Sequence, residues 1–246
     1  MNNRCRILAA RAAGVVACLL AIDGAASAAP GTISMSWGTC SPIVSDVANP
    51  PTGPLGLIFS VVGNDETHSA YQVRFLIASS TGEIPDAWRF DAAGCGAGLL
   101  TVKHAPSPAL APSCPRFTGS GSWAIATEHF GALPEDPSIL RGILMLQYDP
   151  VTADPGLRYF LAEFRFDHTY SVTGPTTPGV SCGGYETPLC FMFGSEPNSY
   201  LREVDGVEVH FPHGNEVVTV HSGGECLPPV PATHSTWGQI KSQYRR

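Results

Sequence analysis

The sequence predicts an all-β protein: an antiparallel β-sandwich of about nine strands followed by a short C-terminal helix. Three observations carry this. Glycine (26 residues) and proline (22) punctuate the chain densely. The runs between them alternate apolar and polar residues with a period of two, and no convincing crossover helix joins any pair of runs. A parallel α/β sheet requires such helices, so antiparallel pairing is the natural solution.

Taking the chain in order, residues 1–28 read as an export signal rather than as part of the fold. Arg4, Arg6 and Arg11 form its positive start, Ala12 to Ile22 its apolar stretch, and Ala26-Ser27-Ala28 the small residues that precede cleavage at Ala29. The apolar run falls short of the roughly 20 residues that cross a bilayer. Val15-Val16-Ala17-Cys18 resembles a lipoprotein cleavage box, which would leave Cys18 lipidated. The apolar run continuing through Leu19, Leu20 and Ile22 speaks against that. The expected location is therefore secreted or cell-surface, the periplasm included.

Removing the signal takes away three arginines and Asp23, so the net charge goes from -7 to about -9. Nucleic acid is excluded as a natural partner, because counterion release needs a basic surface. The six remaining cysteines, Cys40, Cys95, Cys114, Cys182, Cys190 and Cys226, are an even number in an exported chain, and three disulfides follow. Short separations favour Cys95 with Cys114 and Cys182 with Cys190. That leaves Cys40 for Cys226, a staple between the first strand and the last.

The candidate strands are "TISMSW", "PLGLIFSVV", "AYQVRFLIA", "GLLTVKH", "ILMLQYD", "LRYFLAEFRFDHTY", "LCFMF", "VEVHF" and "EVVTVH". The clearest is "LRYFLAEFRFDHTY", with Phe160, Ala162, Phe164 and Phe166 on one face and Glu163, Arg165 and Asp167 on the other. In "AYQVRFLIA", Tyr71, Val73, Phe75 and Ile77 point inward while Gln72 and Arg74 point outward. The strand order, whether Ig-like, cohesin-like or jelly-roll, stays open. Pro-rich connections such as "ANPPTGP" and "HAPSPALAPSCP" separate the strands, and the stretch from Ala105 to Ala132 has no sustained periodicity. A single domain over residues 29–226 is expected, then a Pro-rich linker over 227–235 and a helical tail over 236–246.

The tail reads as a capped amphipathic helix. Thr236 and Gln239 fit a capping box, Trp237, Ile240 and Tyr244 form one apolar stripe, and Lys241, Arg245 and Arg246 sit where cations favour the helix dipole. A helix this short is marginal alone in water, so it is expected to fold against something and to act as a docking or retention element.

Several motifs invite chemistry. Gly179-Val180-Ser181-Cys182-Gly183 matches the G-x-S-x-G serine-hydrolase pattern, but neither a central strand before it nor a helix after it supplies the required context. A hairpin turning at "PHGN" would set His210 and His221 on one wet face, on the order of 13 Å apart and too far to share a zinc; His210 with His213 is the weaker pairing. "GNDET" (Asn64, Asp65, Glu66) and "YDPVTADPG" (Asp149, Asp154) offer oxygens for calcium, without the dense ligand series that ion needs. Glu135 and Asp136 are adjacent in a Pro-flanked turn and have no acid–base geometry by themselves. No cofactor is expected. Trp88 and Trp123 are the candidates for stacking on a sugar ring if either is exposed.

Four places, "ISMSWGTC", "PDAWRFDAAGC", "SCGGYETPLCFMF" and "TWGQIKSQYR", together resemble a group of uncharacterised exported bacterial β-rich proteins ending in a similar Thr-Trp-Gly tail. Members of that group carry a third cysteine in the loop where this chain has Tyr185. The resemblance implies a secreted β-rich fold and no catalysis. The functional expectation is a non-catalytic structural or interaction protein at or outside the cell surface, with a polysaccharide or protein partner. A carbohydrate-binding module using Trp88 or Trp123 is the alternative, and a secreted hydrolase using Ser181 the third.

Overall fold

Each of the nine alternating runs lies on a strand of the structure, a computed structural model that describes residues 30–79, 81–117, 123–134, 136, 138–193, 200–203, 206, 208–210 and 213–221. Among the described residues the strands are β1 (Ile33–Trp37), β2 (Asp46–Val47), β3 (Pro54–Val62), β4 (Thr67–Ser79), β5 (Leu100–Lys103), β6 (Trp123–Ala132), β7 (Leu140–Thr152), β8 (Arg158–Asp167), β9 (Leu189–Phe193), β10 (Tyr200–Glu203), β11 (Glu208–His210), β12 (His213–Asn215) and β13 (Val217–Val220). β2, β6, β10 and β12 are additional to the expected set. The signal segment, the linker and the tail, with Trp237, Ile240, Lys241, Tyr244 and Arg245, lie outside the described residues.

The strands build two sheets. The first runs β12-β1-β3-β8-β5. In the second, β7 pairs with β4 from Thr67 to Ile77 and carries β6 on its far side. The opposite edge of β4 is divided: β10 takes His68 to Gln72, and β9 takes Phe75 to Ser79. β11 extends β10, while β13 and then β2 extend β9.

Two pairings, β1 with β12 and β2 with β13, are parallel, so the sandwich is not wholly antiparallel. Both involve strands of two or three residues, which use backbone groups left open on a longer strand. The same economy removes the expected "PHGN" hairpin. β11 joins β10, His213–Asn215 crosses to the first sheet beside β1, and β13 joins β9.

The core between the sheets is aromatic. Phe59, Phe75 and Phe164 meet at centroid distances of 4.8 to 5.7 Å, and Trp37 packs edge-on against Phe191 at 4.9 Å. Trp37 also donates its indole N–H to the Thr219 carbonyl at 2.9 Å, which satisfies the ring's one polar atom where water cannot reach it.

The alternation expected for β8 breaks in its middle. The ladder with β3 shifts register between Phe59 and Ser60, which oppose Ala162 and Phe160, leaving Leu161 as the extra residue of a bulge. Leu161 and Ala162 both join the main core, and Phe160 turns to the other face of the first sheet. There it forms a second, smaller core with Ile58, Cys40 and Cys114, flanked by Leu110. The aperiodic segment after Lys103 is thus partly a cover, laid over the outer face of the first sheet. That cover buries Ile58, which points outward from the middle of β3.

The disulfides correct the expected pairing. Cys40 bonds Cys114 and Cys95 bonds Cys182, closing separations of 74 and 87 residues. Cys95–Cys114, Cys182–Cys190 and Cys40–Cys226 are therefore wrong. Nearness in sequence misleads here because Cys95 sits on a crossover between sheets whereas Cys114 sits on the cover. Cys190 is also disulfide-bonded, and Cys226 lies outside the described residues.

Candidate functional site

Two long connections pass from one sheet to the other, residues 80–99 between β4 and β5 and residues 168–188 between β8 and β9. They meet at one place. Ala87 N–H donates to the Gly183 carbonyl at 2.8 Å, the Thr176 hydroxyl donates to the Asp86 carboxylate, and Cys95–Cys182 closes the junction covalently. Gly183 is required there, since a Cβ at that position would lie 2.4 Å from Thr176 N and 2.5 Å from the Gly174 carbonyl.

The first connection contains a 3-10 turn, Asp86–Trp88. This turn drives Trp88 into the core at 0% exposure, against Phe166, Phe191 and Tyr185, with Nε1–H donated to the Tyr185 carbonyl at 3.4 Å. Trp88 is a core residue and has no face for a sugar, contrary to its reading as a stacking residue. Trp123 opens β6, and its side chain lies outside the described residues.

β8 ends where the Asp167 carboxylate accepts from Thr169 N–H at 3.0 Å and from its hydroxyl at 2.5 Å, an Asx turn that starts the second connection. His168 is buried immediately inside it. Its ring lies 4.2 Å from Trp88, 4.8 Å from Tyr185 and 5.2 Å from Phe90, and its Nδ1 meets the Ser171 hydroxyl at 3.0 Å. Burial lowers the His168 pKa to about 4, and the Asp167 carboxylate offsets only part of that. The same burial raises the Tyr185 hydroxyl to about 12 while it donates to the Pro51 carbonyl at 2.5 Å. These are neutral groups locking a loop to the sandwich.

Beyond His168 the chain turns outward. Tyr170 is 56% exposed, Val172 36% and Val180 68%, and these are three of the four large exposed hydrophobic residues among the described ones. Their backbone is nonetheless fixed: Cys182 N–H donates to the Tyr170 carbonyl at 2.9 Å and Val172 N–H to the Cys182 carbonyl at 2.8 Å. A cleft of about 410 Å³ opens between this loop and the 93–95 turn, with Tyr170, Thr176, Val180, Ser181 and the Cys95–Cys182 bridge in its wall. No charged side chain lines it. The Asp86 carboxylate lies behind it, accepting from Thr176, and Arg89 and Asp91 hold each other through two hydrogen bonds of 2.7 and 2.9 Å, which keep the Asp91 carboxyl below its ordinary range.

Ser181 is part of this wall and not of a nucleophile elbow. Val180 N–H and Ser181 N–H both donate to the Thr177 carbonyl, at 3.0 and 2.9 Å, forming a tight turn that leads neither from a long strand nor into a helix. The other polar candidates are dispersed. His210 is exposed on β11, whereas His221 is half-buried with its ring 5.5 Å from Tyr185; the side chain of His213 lies outside the described residues. Asn64 bonds both Glu66, at 2.5 Å, and the buried His68, at 2.9 Å. Asp154 caps Gly156 N–H at 2.7 Å, and Asp136 accepts from Ser138. Glu135 lies outside the described residues. Among the described residues no cluster of three or more His, Cys, Asp or Glu could hold a metal ion.

Sequence reasoning missed Tyr170, which it placed at the end of a strand. The Asp-x-Thr turn signal at Asp167–Thr169 marks the break that turns this side chain outward.

No protein-family model matches the sequence, and no curated protein is similar to it. Among solved structures, the chain is similar to the second type II cohesin module from the adaptor ScaA scaffoldin of Acetivibrio cellulolyticus, at a TM-score of 0.39 and 12% identity, over 85% of this chain and 98% of that one.

Proposed function

We propose that this chain is an exported, disulfide-stapled interaction module with a non-catalytic role at or outside the cell surface, presenting the 168–188 connection as its recognition surface. One observation carries the reading: three large apolar side chains are held out to solvent on a loop whose backbone is fixed by hydrogen bonds and by Cys95–Cys182. Exposed apolar groups on a rigid support suit recognition, since little ordering entropy is lost on binding. The two long-range disulfides and the signal-like start support export. In this reading the tail around Trp237, Ile240 and Tyr244 retains the module at its place of work.

Cell fractionation tests both parts. The full chain should be recovered outside the cytoplasm, beginning at Ala29 and fully oxidised, and a chain ending at Ala232 should shift from the envelope fraction to the medium. Reduced protein retained in the cytoplasm refutes export. Identical fractionation of the two chains refutes the retention role.

A further inference from the structure

We infer that the cleft beside Tyr170 is a binding site for a neutral saccharide chain. This rests on the interaction-module reading and names the ligand class for its recognition surface.

Charge comes first. The chain as a whole is acidic, yet the cleft wall has no charged side chain; the Asp86 carboxylate behind it is engaged by the wall residue Thr176, and Arg89 and Asp91 pair with each other. An ionic ligand would find no counter-charge in the wall, so an uncharged one fits.

The shape of the polarity comes next. One wall is the Tyr170 ring, more than half exposed, with Val180 at its rim. The other walls are Ser181 and the polypeptide backbone around Gly94 and Gly179. A sugar ring has an apolar face that lies on an aromatic ring and a hydroxyl edge that bonds to side-chain hydroxyls and backbone groups. An apolar peptide side chain would instead need an enclosed dry hole, and this cleft is open to solvent with the Ser181 hydroxyl in its wall. The Ser181 hydroxyl has no protein partner among the described residues, whereas Thr176 is committed to Asp86 and to Gly183 N–H at 3.0 Å. Ser181 is thus the contact and Thr176 the support.

Preorganisation completes the case. Tyr170 is bonded through its carbonyl to Cys182, and Cys182 is bonded to Cys95 in the facing turn. Ala87 N–H to the Gly183 carbonyl and the Thr176 hydroxyl to Asp86 add further ties between the two lips, and within the facing turn a Cβ at Gly94 would lie 2.1 Å from the Arg89 carbonyl, so that turn is itself tightly packed. At about 410 Å³ the cleft takes a short stretch of a sugar chain and not a globular partner.

The test is isothermal titration of the oxidised mature protein with cellohexaose, maltohexaose and chitohexaose, and with hexagalacturonate as the anionic comparison. At least one neutral hexasaccharide should bind. Tyr170→Ala should weaken it about tenfold and Tyr170→Phe should leave it within about twofold, because the ring face and not the hydroxyl makes the contact. Tyr170 is exposed, so both variants should melt with the parent. Failure of all three neutral sugars to bind overturns the inference, as does unchanged binding by Tyr170→Ala or a preference for hexagalacturonate. None of these results touches the fractionation experiment, so the module reading stands or falls separately.

Discussion

His168 gives the most direct handle on how the second crossover is held. Its pKa is lowered to about 4 in the folded protein against an ordinary value of 6.5, because burial among Trp88, Phe90 and Tyr185 disfavours the imidazolium. Between those values the unfolded chain binds a proton that the folded chain refuses, so stability falls as pH drops from 6.5 toward 4. A shift of that size has a limit of about 3.4 kcal/mol, of which about 2 kcal/mol is already lost at pH 5. His68, also lowered by burial, adds in the same direction, whereas the depressed Asp91 and Asp167 carboxyls act at lower pH. The assay is urea unfolding of the oxidised protein at pH 7.5 and pH 5.0, repeated for His168→Gln. Glutamine keeps a polar partner for Ser171 but does not titrate. The parent should lose about 2 kcal/mol more than the variant on acidification. Comparing each protein with itself removes the variant's own cost. If the two lose the same amount, His168 is not a buried neutral group and its role in locking the loop is refuted.

Three further outcomes follow from the packing. Brief treatment with a dithiol under native conditions, then alkylation, should label Cys95 and Cys182 before Cys40 and Cys114; Cys95 is exposed in the cleft wall, while Cys40 and Cys114 are fully buried, and mass spectrometry of peptides decides the order. Replacing Cys40 and Cys114 together by alanine should cost about 4 kcal/mol in urea unfolding, the chain-entropy value for a 74-residue closure. Gly142→Ala should cost roughly 1–3 kcal/mol and lower Tm, because the new methyl would lie 2.2 Å from the Phe75 ring in the main core; an unchanged Tm would show that the ring moves freely.

How much of this was legible depended on whether a residue's partner was local. Period-two alternation found nine strands because each reports its own burial, and Tyr71, Val73, Phe75 and Ile77 all lie in the core as their spacing predicts. β6 escaped notice because it is an edge strand whose ladder with β7 shifts register between Trp123 and Ile125, and whose core-side parity includes Glu128, bonded to His104 at 2.8 Å. β2, β10 and β12 are too short for any period to register. Phe160 was assigned to the wrong face because a bulge is set by the partner strand, and nothing in "LRYF" announces it. The cleft was hidden for the same reason. Tyr170 and Ser181 were visible singly, but the bond that brings the 93–95 turn to them joins residues 87 positions apart.

The two described disulfides share a logic that bears on function. Neither lies within a strand ladder; Cys40–Cys114 fastens the cover onto the outer face of the first sheet, and Cys95–Cys182 fastens one crossover to the other. The ladders and the aromatic core hold the sandwich by burial and backbone pairing, which do not depend on redox state. The crossovers share that burial through Trp88 and Tyr185 and have backbone bonds of their own, and Cys95–Cys182 adds a covalent tie between the exposed 93–95 turn and the Tyr170 loop. Opening Cys95–Cys182 is therefore expected to loosen the 93–95 turn against the Tyr170 loop while the core around Phe59, Phe75 and Phe164 stays packed. Titration with the neutral hexasaccharides after mild reduction should therefore show weaker binding at a denaturant stability of the core that is little changed, and equal affinity of the oxidised and reduced proteins would show that the bridge does not shape the cleft.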